Sequence, residues 1–315
     1  MNELKRGNVL CAGLALCDIL VKPVTPDSLR GDTCFVEHIG ITGGGDAFNV
    51  AFNLAVMGVP VSLASKFGND DLGAWLLNKI RGRGIKDEIA VTDSVRTSAS
   101  VVAIRPDCER SFLVYRGACH AMTQEDVTDA QLARHDIFYL GSAFDLPGID
   151  NVPNALATLF RRARKQGCFT VLDVTGDLTP RQMDVLRPAL PFISLFIPSR
   201  SEALNLTGEA TPEAAAAAFN ALGCETVAIK LGAEGSLVLS NNRCVKLPAY
   251  PAHVVDTTGA GDAFVSGFIA AFTKGMSFED CARFGNAAGA VCVSAIGANG
   301  ALQSFSQVEK IAALP

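Results

Sequence analysis

Short apolar runs rich in β-branched residues alternate along this chain with segments whose apolar positions recur every three or four residues. "SLASKFG" precedes "DDLGAWLLNKI", "DIFYLGS" precedes "NALATLFRRARKQG", and "FTVLDV" precedes "PRQMDVLRPAL". "ISLFIPS" with "SEALNLTG", and then "TVAIKLG", continue the series. The first kind of run predicts strands and the second helices. Their alternation predicts an α/β fold with a largely parallel sheet covered on both faces. No repeat, low-complexity tract or long linker interrupts it, so residues 1–315 are read as one domain. Two regions break the rhythm, 19–41 and 98–117, the latter containing "SASVVAIR" and "RSFLVYRG". Both predict extended strands without a crossover helix, hence a small inserted sheet at the domain edge, with a lid as its natural role. Ligands of open α/β sheets bind beyond the carboxyl ends of the strands. Asp18 falls there, just after a buried first strand within "NVLCAGLALC".

Composition narrows the classes. The chain has 315 residues, 49% of them hydrophobic, enough to bury a large core. A net charge of −5 gives no general attraction to nucleic acid or anionic membrane, so any phosphate chemistry must be local. Ten cysteines form no CxxC pair and stand in apolar contexts, which reads as small buried hydrophobes in a reducing cytosol. Lys5 and Arg6 before "NVLCAGLALC" imitate a signal peptide, but the apolar run is short and Asp18 closes it. The uncharged stretch near the C-terminus is broken by "GANG" and carries Asn286, so it does not read as a membrane span.

The densest chemistry lies in "DTTGAGDAF", Asp256 to Phe264. Phe264, Phe268 and Phe272 are spaced as the apolar stripe of a buried helix, so the glycines mark a loop turning into that helix. Free N–H groups at a helix start favour an anion, yet Asp262 lies in the first turn. One reading makes Thr257 or Thr258 the cap and Asp262 a favourable first-turn charge. The other makes the amides around Gly259, Ala260 and Gly261 a cradle for a transferring phosphoryl group, with Asp262 receiving the proton of the attacking hydroxyl. An aspartate of ordinary pKa is ionised at neutral pH, and a loose phosphoryl transition state needs only a weak base.

A second glycine-rich stretch, "TGGGDAFNVAFNLAVMG", opens another helix. Ala47, Val50, Ala51 and Leu54 have core spacing, leaving Asp46 and Asn49 on the opening turn, suited either to capping or to hydroxyl recognition. The pattern is neither GxGxxG nor GxxxxGK[ST], so neither dinucleotide nor P-loop binding follows.

Taken together the two stretches resemble the PfkB, or ribokinase, family of carbohydrate kinases. Its C-terminal signature D-T-x-G-A/C-G-D is met by Asp256, Thr257, Gly259, Ala260, Gly261 and Asp262. Its N-terminal signature is met by Gly44, Gly45, Asn49 and Ala51. Similarity continues through "FIPSRSEALNLTG", "VAIKLGAEGS" and "ARFGNAAGAV", and "GGDAxN" is most similar to a branch of sugar kinases with poorly defined substrates. The resemblance implies a ribokinase-like three-layer α/β/α sandwich with a β-sheet lid, and transfer of the γ-phosphate of ATP to a sugar hydroxyl, a terminal CH₂OH. It implies Asp262 as base, Gly259 to Gly261 as anion hole, and Asp18, Gly44, Gly45, Asp46 and Asn49 on the sugar. Glu202 would organise Mg²⁺ through water. Lys230, Gly232 and Gly235 would lie along the nucleotide phosphates and ribose, with Asn286 near the adenine. Asp256 and the "SAIGANG" turn resemble a monovalent-cation loop, implying K⁺. The lid implies a homodimer.

Three departures matter. Ser199 stands in place of the Asn of the family's N-x-x-E motif, Leu16 in place of a sugar-binding Asn, and Asp46 in place of a Lys, which argues against ribose itself. Arg116, at the end of a lid strand, is read either as an anion contact for the substrate or as a solvated edge arginine. The alternatives within and beyond the family are a nucleoside kinase, with Phe112 and Tyr115 as the lid aromatics, and a non-catalytic sugar or nucleotide sensor. A nicotinamide dehydrogenase lacks its glycine fingerprint, since "GLALCD" offers only Gly13.

Overall fold

Val9, Leu10, Cys11 and Ala12 are wholly buried because their strand lies well inside a nine-stranded sheet. The computed structural model describes residues 7–30, 32–107, 109–176 and 178–313. Across the large sheet the strands run Arg243–Leu247, Ser236–Ser240, Thr226–Lys230, Leu195–Phe196, Phe169–Val174, Ile137–Ala143, Val9–Ala12, Val61–Ala64 and Lys86–Asp87. Seven are parallel, and the first two add an antiparallel hairpin to one edge.

Alternate side chains of each strand enter two separate cores. Val9, Cys11, Tyr139 and Val171 face the helices Asp46–Val56, Ala260–Thr273 and Phe278–Cys292. Leu10, Ala12, Phe138 and Leu172 face Ala155–Lys165, Arg200–Thr207 and Pro212–Ala221. Because both faces are covered, the central strands read as continuous apolar runs.

A second sheet of four strands, His38–Gly44, Leu16–Lys22, Ala99–Ile104 and Arg110–Tyr115, accounts for the two irregular regions. Its middle pair is parallel and its outer pairs antiparallel. The apolar N-terminal run therefore holds two strands, one per sheet. Asp18 lies within the second of them, and the small sheet begins at Leu16 and ends its first half at Gly44, beyond the expected 19–41. The "PRQMDVLRPAL" helix is shorter than expected: a 3-10 turn, Pro180–Gln182, runs directly into the one-turn α-helix Met183–Leu186, and a further 3-10 turn follows at Leu190–Phe192. Of the nine described cysteines seven are buried, whereas Cys34 and Cys244 are exposed. Among the described residues no helix is long and apolar enough to cross a membrane.

Candidate active site

Strand ends supply the site. Asp173 and Lys230 end their strands, Glu202 follows Leu195–Phe196, and Asp18 follows Val9–Ala12, all at the carboxyl edge. Over this edge hangs the bend that precedes the Ala260–Thr273 helix. Gly259 is the helix cap in a left-handed conformation, φ 74°, and packs against Ala298 so closely that a side chain would collide. Neither Thr257 nor Thr258 caps the helix. The Ala260 N–H turns onto the Thr257 carbonyl at 3.2 Å, while among the described residues the N–H groups of Gly259 and Gly261 meet no such partner. An anion at this bend would therefore be held by the glycine amides rather than by Ala260.

The Asp262 carboxylate projects from the first turn toward the Asp46–Val56 helix. Its Oδ2 accepts from Asn49 Nδ2 at 2.7 Å, and Asn49 Oδ1 accepts from Asn299 Nδ2 at 2.8 Å. Asn49 and Asn299 line a cavity of about 300 Å³ with Asp18, Thr42, Thr258 and Phe112. Asp18 accepts from the Ser100 hydroxyl and lies against Gly44, where any side chain would strike its carboxylate. Burial raises the Asp18 pKa, with Ser100 opposing. Gly45, φ 91°, caps the helix and sets Asp46 at its first position.

Several acids converge around Lys230. Lys230 Nζ lies 2.7 and 2.9 Å from the carboxylate oxygens of Asp173, which is 2% exposed. Burial pushes Asp173 up to about 7 against the pull of Lys230, and Glu202 and Asp46 add to the rise. Burial also raises Asp46. Asp262 is raised well above the carboxylate range by burial first and then by Asp46, so the expectation of an ordinary pKa is corrected. For Lys230, burial opposes the charge, but Asp173 and Glu202 outweigh it and raise the pKa. The Tyr139 hydroxyl, buried near Asp46, Asp173 and Asp262, meets no hydrogen-bond partner among the described residues. Ser142, φ 61°, faces Asp46 without completing a hydrogen bond of good geometry.

On the other side of the bend lies a cleft of about 370 Å³ lined by Lys230, Gly232, Gly235, Ala260, Gly261 and Asn286. Asn286 donates to the carbonyls of Leu247 and Pro248 at 3.3 and 3.0 Å, tying its helix to the edge hairpin. The glycine bend is thus the wall between the two spaces.

Three candidate residues are engaged elsewhere. Arg116 does not line the 300 Å³ cavity: it pairs with Asp145 at 2.6 Å and its side chain is 63% exposed. Ser199 and Glu202 form a capping box, with Glu202 Oε2 accepting from Ser199 N at 2.6 Å and Ser199 Oγ accepting from Glu202 N at 3.3 Å. The Ser at this position therefore has a local structural purpose. Asp256 accepts from Thr258 N at 2.8 Å and Gly297 N at 2.7 Å, and pairs with the Arg110 guanidinium. Both carboxylate oxygens thus already have donors, and a fixed guanidinium beside them both neutralises the charge a cation would answer and repels that cation. The residues present do not fit K⁺ beside Asp256.

Sequence reasoning missed Asp173, Arg110, Asn299 and Tyr139. Asp173 had a signal, as the one charge in the apolar run "FTVLDV". Arg110 and Asn299 had none, because their partners lie far away in the chain.

The family model described as pfkB family carbohydrate kinase matches residues 7–304. An uncharacterised sugar kinase of Archaeoglobus fulgidus is 27% identical over 245 residues, 78% of this chain and 96% of its own length. Ribokinase of Arabidopsis thaliana, solved with ribose and ATP, superposes with a TM-score of 0.81 at 26% identity over 98% of this chain and 99% of its own. A protein of Escherichia coli provisionally named ribokinase II, solved with ATP and Mg²⁺, shares the fold with a TM-score of 0.83 at 24% identity, covering 97% and 98%. With its sheet order, its two glycine-led helices and a match over nearly its whole length, the chain belongs to the pfkB family of carbohydrate kinases.

Proposed function

We propose that this carbohydrate kinase transfers the γ-phosphate of ATP to a terminal CH₂OH of a monosaccharide or sugar derivative, with Asp262 as the base. The observation that carries this reading is the Asp262–Asn49 hydrogen bond, 2.7 Å, which ties the carboxylate to a residue lining the 300 Å³ cavity beside the glycine bend. Asp18, Asn49 and Asp46 would hold hydroxyls, with Gly44 and Gly45 letting the backbone approach. Gly259 and Gly261 would hold the migrating phosphoryl group. ATP would lie along Lys230, Gly232 and Gly235, with its base beside Asn286. The hydroxyl proton passes to Asp262 as the O–P bond forms and the bond from the γ-phosphorus to the bridging oxygen of ADP breaks.

Among the described residues no trio of His, Cys, Asp or Glu is set to ligate a metal directly. Asp46, Asp173, Asp262 and Glu202 nonetheless act together on Lys230 and on one another, a charge surplus that suits a divalent cation. Glu202 would hold Mg²⁺ through water, and the ion when bound would screen the phosphate charge. The small sheet would act as a lid of the single domain, keeping water from the phosphoryl group. Its exposed residues Ile39, Ile41, Leu113 and Tyr115 would form a homodimer contact. An ATP requirement and the buried thiols fit a cytoplasmic enzyme.

Asp262→Asn should fold with an unchanged thermal midpoint and lose about 10²-fold or more in kcat when ADP release is assayed over aldoses, ketoses, sugar acids and nucleosides. Turnover within a few-fold of the parent would remove Asp262 as base, and stimulation by nucleosides alone would replace the sugar. Because the Asp262 pKa is raised, kcat/KM should climb with pH on a limb well above the ordinary carboxylate range, and Asp46→Asn should move that limb downward.

A further inference from the structure

Asp256 precedes the glycine bend, and its side chain is only 2% exposed. One of its oxygens accepts from Thr258 N and pairs with Arg110, and the other accepts from Gly297 N. It therefore joins three segments: the bend, the turn at Ser294 to Gly300, and the outermost strand of the small sheet. Arg110 arrives from that strand with its side chain 19% exposed. It borders both the 300 Å³ cavity and a neighbouring space lined by Lys22, Glu37, His38 and Arg105, so it lies on the seam between the sheets.

We propose that Arg110 supplies from within the chain the positive charge that the family resemblance assigns to a monovalent cation at Asp256, and that the enzyme works independently of K⁺. An ion neutralises a buried carboxylate only at sufficient concentration, whereas a guanidinium carried on a packed strand is present whenever the strand is docked. Its planar fork has donors fixed in position, which a spherical ion lacks. The carboxyl of Asp256 stays below its usual range, because Arg110, Gly297 and Thr258 outweigh the effect of burial. The same contact couples the two sheets: seating the small sheet completes the electrostatic support of the bend, and withdrawing it removes that support. Arg110 is a positioning residue, acting through Asp256 on the amides of Gly259 and Gly261. Its consequence for turnover rests on the kinase reading, whereas its consequence for cation binding does not.

The test compares parent, Arg110→Ala and Arg110→Lys in KCl and in choline chloride at equal ionic strength, by thermal midpoint and by ATP turnover. The parent should show no K⁺-specific shift and less than about 2-fold K⁺ activation. Arg110→Ala should gain a K⁺-specific rise of a few degrees in midpoint, since an ion that binds only the folded state stabilises it. It should also lose about 10-fold or more in kcat, recovered by KCl or by guanidinium chloride at millimolar concentration, with Arg110→Lys retaining more activity than Arg110→Ala. Several-fold K⁺ activation or a K⁺-specific midpoint shift of the parent would overturn the proposal. So would an Arg110→Ala protein that neither cation rescues and that shows no K⁺-specific shift. The thermal arm needs no turnover, so failure of the kinase reading would leave this result interpretable.

Discussion

Val9, Leu10, Cys11 and Ala12 in the large sheet are wholly buried, whereas Ile39, Leu113 and Phe112 in the small sheet expose 65%, 61% and 56% of their surface. The first group is fixed by helices on both faces. The second is held by main-chain pairing and by a few polar contacts to the rest of the protein. Asp70 is one such contact, capping the Asp71–Gly82 helix through Gly73 N at 2.9 Å and accepting from Thr97 N at 2.8 Å just before the Ala99–Ile104 strand. Arg110 on Asp256 is another, and His120, 3.6 Å from Asp145 and 3.2 Å from the Ser98 hydroxyl, is a third. The large sheet carries Asp173 and Lys230 at its strand ends, and the less buried sheet contributes Asp18 and Phe112 to the wall of the 300 Å³ cavity.

That contrast breaks most sharply in the core. Phe138 is wholly buried and meets Phe160 edge-on at 5.5 Å, so Phe138→Ala should cost about 3–5 kcal/mol in urea unfolding. His120 comes next. Burial alone would lower its pKa, but Asp145 and Cys119 reverse this and raise it from 6.5 to about 9. The charged form is thus favoured by folding. Its stabilisation is complete below pH 6.5 and is lost as pH rises through about 9, by about 2 kcal/mol after solvent screening. In His120→Gln the stability profile over that window should flatten. Asp70→Ala removes a helix cap and a tie to the small sheet and should cost about 1 kcal/mol. Replacing it with Asn, which retains an acceptor, should cost less. The smallest effect belongs to Leu113→Ser, expected within about 0.5 kcal/mol for the monomer. The homodimer contact predicts a fall in sedimentation coefficient for this variant, and an unchanged coefficient would show that no second copy covers this face.

Much of the large sheet was legible because its strands are buried on both faces, and unbroken runs such as "FTVLDV" declare themselves in one dimension. The two glycine-led helices were legible for a similar reason, since capping geometry and core spacing lie within a dozen residues. Less local features were not. "NVLCAGLALC" reads as one strand, because nothing in its hydropathy marks the turn at Gly13 where the chain leaves one sheet for the other. Arg116 and Arg110 flank the same strand and look alike in sequence. Strand direction and the position of Asp145 decide that one faces outward and the other meets Asp256. The raised pKa of Asp262 was equally hidden, since it depends on Asp46 and on burial created by a distant helix.

By itself the sequence determined the α/β alternation, the bend at Gly259 to Gly261, and the presence of Asp262 one residue beyond it, because periodicity, capping and glycine conformation act over short stretches of chain. Only the tertiary structure decided that Asn49, Asn299 and Asp262 form one hydrogen-bonded chain, that Asp173 holds Lys230, and that an arginine answers Asp256. Those pairings join residues 57 to 250 positions apart, and a charge or a hydrogen bond acquires its strength from burial that exists only once the two sheets have come together.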